Sequence, residues 1–158
     1  MAVAVDGERK PFPVVQTPFQ EFSGAISYDG KWVAYLSNDN GRNEIYVQAF
    51  PGARDAPGGR WQISRDGAQD VRWRSDGKEL YFQSLDGKIM AATLTTGPEG
   101  VVGQTPRVLF PATFTVGPLH EFDASADGKK FALILDTRTE AMVNRLTVIW
   151  NWQANWGK

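Results

Sequence analysis

The sequence contains no cysteine and a single histidine, His120. Disulfides and thiolate metal sites are therefore excluded, and a zinc site would need several carboxylates around one imidazole. The absence of cysteine fits a reducing or an oxidising compartment equally, so localisation stays unassigned. An excess of one charge sign is also missing: 17 Lys and Arg face 18 Asp and Glu, a net charge of −1 with no long block of either sign. Nothing pulls such a chain toward nucleic acid or an anionic membrane. No apolar run approaches the roughly 20 residues of a membrane-crossing helix. Met1 to Val5 is too short and too weakly apolar for a signal peptide. The expectation is a soluble chain without membrane insertion and without a nucleic-acid partner.

What is present is turn chemistry and strand formers. Among 158 residues there are 16 Gly and 9 Pro, with 12% aromatic residues, while runs of helix formers are short. That balance predicts an all-β fold. Three turns organise the chain: Ser27-Tyr28-Asp29-Gly30-Lys31, Arg74-Ser75-Asp76-Gly77-Lys78 and Ser125-Ala126-Asp127-Gly128-Lys129. Their aspartates fall 47 and then 51 residues apart, a spacing that suggests a structural repeat. Aligned on those aspartates, Val33, Leu80 and Phe131 share one position, and Tyr35, Phe82 and Leu133 another, which is the period of a strand. Asp-Gly suits a tight hairpin, because Gly accepts positive φ and Asp bonds its own backbone. Asp29, Gly30, Asp76, Gly77, Asp127 and Gly128 are therefore read as structural turns.

Around each turn the pattern predicts four strands. In Lys31 to Ser37, Trp32, Ala34 and Leu36 share one face and Val33 and Tyr35 the other, so both faces need covering. A sandwich strand would keep one polar face. Four-stranded antiparallel units, apolar on both faces and repeated at this interval, predict β-propeller blades. The boundaries expected are N-terminal edge strands at 1–19, blade 1 at 20–64, blade 2 at 65–110, and blade 3 at 111–158 lacking its outer strand. Ala2 to Val5 is read as a short strand, and Lys88 to Leu94 as the third strand of blade 2 followed by a Gly-rich loop. Val14, Val15, Gln16 and Thr17 form an edge strand, since prolines flank it. Three blades are too few to close a ring. The chain is then half of a six-bladed ring, closed by a second copy through exchange of Val14 to Thr17, or a fragment of a larger propeller.

Ser27-Tyr28-Asp29-Gly30-Lys31-Trp32-Val33-Ala34-Tyr35 followed by Glu44-Ile45-Tyr46-Val47 resembles the repeat of TolB-like, WD-repeat-like bacterial propellers. More narrowly, residues 9–19, Tyr46-Val47-Gln48-Ala49-Phe50-Pro51-Gly52 and Trp61-Gln62-Ile63-Ser64 resemble the last propeller blades that follow the kinase domain in certain bacterial serine/threonine kinases. The sequence departs from the family's Ser-Pro-Asp-Gly-Lys turn by placing Tyr28, Ser75 and Ala126 where the family has Pro, and Arg74 where it has Ser. The resemblance implies the propeller fold and a sensor or interaction role, and it is compatible with an extracytoplasmic setting.

Propellers bind at the axis or at end loops. Alignment on the turns gathers Glu21, Asp70, Arg72, His120, Glu121 and Asp123 as a candidate axial cluster, able in principle to hold a peptide, a water chain or a cation through carboxylate oxygens. No Gly-x-Ser-x-Gly elbow, kinase Gly-rich loop, His-Arg-Asp or Asp-Phe-Gly occurs. Asn38-Asp39-Asn40-Gly41 lacks EF-hand spacing. The aspartate of Ser27-x-Asp29 is followed directly by Gly30, which sets it apart from a sialidase Asp-box. The expected function is a non-catalytic module for protein interaction or ligand sensing, without cofactor or metal and with an unknown protein or peptide partner. The alternative is an enzyme or cation-binding propeller using the axial cluster. Trp150, Trp152 and Trp156 form an aromatic tail.

Overall fold

The computed structural model describes residues 1–53, 56–112 and 122–134, and the backbone of 146–150. Among the described residues there are twelve strands and no helix. The first sheet is a meander of β1 (Glu21–Ile26), β2 (Trp32–Ser37), β3 (Glu44–Ala49) and β4 (Arg60–Gln62), each hydrogen-bonded to the next. The second contains β5 (Val71–Trp73), β6 (Glu79–Gln83), β7 (Lys88–Gly97), β8 (Gly100–Gly103) and β9 (Arg107–Pro111). The third contains β10 (Phe122–Ala124), β11 (Lys130–Ile134) and β12 (Leu146–Trp150), again a meander. All pairs are antiparallel. These are propeller blades, and the three Asp-Gly turns join the first two strands of each.

The double-sided apolar pattern has the expected consequence. All six residues of β2 and all five of β6 are buried. Trp32, Ala34 and Leu36 of β2, with Ile45 and Val47 of β3, pack against Val71, Trp73, Leu80 and Phe82 of the next sheet. On the far side of that sheet, Tyr81, Ile89 and Ala91 meet Phe122, Phe131 and Leu133 of the third. Phe131 is edge-on to both Tyr81 and Phe110, with centroids 5.0 and 5.3 Å away. Each large apolar side chain so buried contributes roughly 1.5–3 kcal/mol, so the contacts between sheets, rather than any single sheet, hold the array together.

Three expectations need correction. The second sheet has five strands, not four: β7 runs past Leu94 to Gly97 and turns back through Pro98 and Glu99 into β8. Thr95 and Thr96 pair with Val102 and Val101 across this two-residue connection, so β-branched residues outweigh the glycines around them. Gly100 is required there. It has φ +120°, and a Cβ would lie 2.4 Å from the Trp61 ring. Val14 to Thr17 makes no ladder among the described residues. It lies instead over the outer face of β2 and β3, where Val14 and Val15 with Phe50 pack on Val33, Tyr35 and Tyr46. The Gln48 amide donates to the Val14 carbonyl at 3.0 Å. Ala2 to Val5 forms one bridge, Ala2 with Phe12, rather than a strand.

Candidate functional site

The axial cluster is partly assembled. Asp70 stands at the entrance to β5, and its buried carboxylate accepts from the Val71 amide at 2.9 Å and from Arg72 Nη1 at 2.8 Å. Arg72 lies over the Phe122 ring at 5.6 Å, and its Nε comes within 3.9 Å of Asp123 Oδ1 on β10. Asp70, Arg72, Phe122 and Asp123 thus bridge the second and third sheets. The longer pair is largely solvated at the Asp123 end and contributes little to stability. A guanidinium between two carboxylates neutralises the field a cation would need, which argues against a Ca2+ site at these oxygens. Among the described residues no group of three or more acidic or histidine side chains is close enough to hold a metal ion.

Glu21 is not part of this cluster. It accepts a hydrogen bond from the Thr17 hydroxyl and lines a cavity of about 400 Å3 with Val15, Val33 and Tyr35, on the opposite face of the first sheet. The cause is a bulge: the register of β1 on β2 shifts between Phe22 and Ala25, and Ser23 has φ 52°. A bulge inserts a residue and breaks the alternation on which sequence alignment relies. His120 and Glu121 lie outside the described residues, as do Trp152 and Trp156 and the side chain of Trp150.

The turn aspartates do structural work. In the first turn Ser27 Oγ donates to Asp29 Oδ1 at 2.6 Å and the Lys31 amide donates to the same oxygen at 3.1 Å; the Trp32 amide donates to Ser27 Oγ at 3.0 Å. Ser125, Asp127 and Lys129 repeat the pattern. In the second turn Arg74 replaces the serine and clasps Asp76 with two hydrogen bonds of 2.8 and 2.7 Å. That clasp holds the Asp76 carboxyl down to about 2. Asp29 and Asp127 are also lowered; for Asp29 burial opposes the shift and the bonds from Ser27 and Lys31 outweigh it, while for Asp127 the Ser125 bond leads. A fourth turn of the same kind, Ser84-Leu85-Asp86-Gly87-Lys88, joins β6 to β7. It was readable as a complete Ser-x-Asp-Gly-Lys match, but it lies inside a blade rather than at the repeat interval.

Two buried carboxylates were not singled out in the sequence. Glu44, fully buried, accepts from Arg42 Nε at 2.8 Å, from the Gly67 amide at 3.0 Å and from the Ser64 hydroxyl, and so fixes the chain where it passes from the first sheet to the second. Glu79 accepts from Arg74 at 2.6 Å, from Arg107 at 2.7 Å and from the Tyr81 hydroxyl at 3.2 Å. Burial and the Glu79 charge push the Tyr81 phenol up to about 12. Between the first two sheets a cleft of about 460 Å3 has Ile63, Phe82 and Met90 on its floor, with Gln62 and Gln104 at its rim.

Sheet count, face pattern and turn geometry define an array of β-propeller blades. No family model and no curated protein matches the chain. Among solved structures it is similar to TolB from Acinetobacter baumannii, with a TM-score of 0.53 and 22% identity over 86% of this chain. The match spans only 30% of that protein's length, so it is a likeness in fold to one part of a larger propeller.

Proposed function

We propose that the chain is a non-catalytic propeller module for protein interaction or ligand sensing, and that it works as a closed ring. The observation that carries this reading is how the described carboxylates are used. Asp70, Glu44 and Glu79 are each engaged by an arginine, and Asp29, Asp76 and Asp127 by their own turns. Groups held in this way position backbone and neighbouring sheets, whereas a general acid or base needs a proton it can exchange with substrate. The fold is one that presents loops and a rigid axial face to partners. The resemblance of residues 9–19 and 46–64 to the blades that follow bacterial kinase domains supports a sensor role attached to a signalling enzyme.

The test has two arms. Selection of a displayed peptide library on the immobilised chain is expected to enrich a peptide family that binds with native-like fold intact. Chromogenic ester, peptide and glycoside panels are expected to show no turnover above the Asp70→Ala/Asp123→Ala variant. Turnover that disappears in that variant, with the circular dichroism spectrum unchanged, overturns the non-catalytic reading.

A further inference from the structure

We infer that the outer face of the first sheet is an interface for the third sheet of a second copy of this chain, which completes its own blade with Val14 to Thr17 of the first. The inference rests on the ring proposed above and names its junction. It comes from the way the chain packs on itself. Positions four and six after each turn aspartate are Val33 and Tyr35, Leu80 and Phe82, and Phe131 and Leu133. Leu80 and Phe82 are covered by the first sheet, through Trp32, Ala34 and Leu36. Phe131 and Leu133 are covered by the second, through Tyr81 and Ile89. The covering residues include positions three, five and seven of the preceding sheet. One face of that first type lacks a sheet over it: Val33 and Tyr35, covered by the N-terminal segment, with Ile26 of β1, opposite Val33, left 51% exposed beside the 400 Å3 cavity. One face of the second type has no sheet packed on it among the described residues: Ala132 and Ile134 of β11, with Ile134 61% exposed. These two faces are the two halves of the junction the chain already makes internally.

The strand count agrees. At both internal junctions a strand paired to the third strand of a sheet also reaches over the next sheet: Trp61 from β4, beside β3, joins the first core, and Leu109 and Phe110 from β9, beside β7, join the second. Val14 and Val15 occupy that place over Val33 and Tyr35, yet among the described residues they have no sheet of their own. The third sheet ends at β12 with no fourth strand among the described residues. A second copy would supply a strand beside β12 and a sheet over Val33 and Tyr35 together. Each chain uses each half once, so a two-fold axis closes the array with no edge left over.

The test uses the full chain. Light scattering at about 10 µM should give twice the 17.5 kDa chain mass. Ile26 pairs with Val33, as Trp73 pairs with Leu80 at the first internal junction, where the Trp73 indole donates to the Ala25 carbonyl of the preceding sheet. Ile26→Lys or Ile134→Glu, each on an exposed position, should bury an unpaired charge at both junctions and weaken the dimer at least about 100-fold. An equimolar mixture of the two variants should restore a dimer containing one of each. Amide protection at residues 14–17 should rise with concentration in step with the mass, which needs no variant. A wild-type chain that stays monomeric with native circular dichroism, a dimer indifferent to both substitutions, or protection independent of concentration overturns the inference. Peptide binding by such a monomer would leave the interaction-module reading standing.

Discussion

Replacing Glu79 by Gln probes how the strands of the second blade are fastened at their turn end. Glu79 is buried, and its two oxygens are divided between Arg74 at 2.6 Å and Arg107 at 2.7 Å. Gln keeps the shape and one acceptor but removes the charge and presents an amide N–H2 to one of the arginines. Two charge-assisted hydrogen bonds, each worth about 1.5–3 kcal/mol, set an upper bound near 6 kcal/mol. The loss should be smaller. Arg74 keeps its paired bonds to Asp76, and the Arg107 side chain, half exposed, can turn to water. A cost of about 2 kcal/mol follows, and for a chain of this size it lowers Tm by about 4–8 °C. Calorimetry measures the shift. A second assay reads the same charge: the Tyr81 phenol, pushed up to about 12 by burial and by Glu79, should ionise at lower pH in the variant. Tyrosinate absorbance through an alkaline titration reports it. A Tm within about 1 °C of wild type, with the Tyr81 titration unmoved, would refute the assignment of Glu79 as the electrostatic centre of this turn end.

The turn glycines offer a comparison inside one molecule: Gly30 and Gly128 have φ +70° and +68°, but a Cβ on Gly30 meets open space, whereas one on Gly128 would lie 2.0 Å from the Tyr81 hydroxyl. Gly30→Ala should cost about 1 kcal/mol in urea melts and Gly128→Ala clearly more; equal costs would mean the contact is absent. Gly100→Ala should displace Trp61 from its edge contact with Trp32, centroids 5.9 Å apart, and alter near-ultraviolet circular dichroism, and an unchanged spectrum would count against that packing. Because the Asp76 carboxyl is depressed to about 2 in the folded chain, its contribution is present above the unfolded value near 4 and fades as pH falls toward 2. Solvent screening holds it to about 1 kcal/mol or less. A carbon-detected titration should place the Asp76 midpoint near 2, and Arg74→Met should raise it; an unmoved midpoint would deny the clasp.

The blade pattern was legible because burial on both faces writes itself into period two. Val33 and Tyr35 alternate with Trp32, Ala34 and Leu36, and no polar face interrupts them. The β8 strand was not legible, because Gly97, Pro98, Gly100 and Gly103 carry the punctuation of a loop while the Thr-Thr and Val-Val pairs that make the ladder are only two residues long. Gly100 turns out to be dictated by Trp61, a residue 39 positions earlier, and no local reading contains that contact. The axial cluster was legible in part for a similar reason. Asp70, Arg72 and Asp123 lie on unbulged strands, so alignment on the turns carried them to one place. Glu21 lies before the Ser23 bulge, and a single inserted residue sends it to the other face. The carboxylates that matter most to the core, Glu44 and Glu79, open their strands, and nothing in the local sequence marks them as buried. Only the approach of Arg42, Arg74 and Arg107 makes their burial affordable.

The same register argument reaches further than the turns from which it began. Counting from each aspartate identifies which face of a blade is covered by the sheet before it and which covers the sheet after it. Applied to the ends of the array, it marks Val33 and Tyr35 as the face on which a preceding sheet would pack and, among the described residues, Ala132 and Ile134 as a face with no sheet after it. The N-terminal segment over Val33 does not take the place of that sheet, because β4 and β9 lie over their neighbours in the same way and a full sheet still packs beside each of them. That segment buries Val33 and Tyr35, yet Ile26 beside them stays 51% exposed along a cavity. The aspartates that first suggest a metal or an active site therefore have their use as rulers: they fix the register by which each blade finds its neighbour.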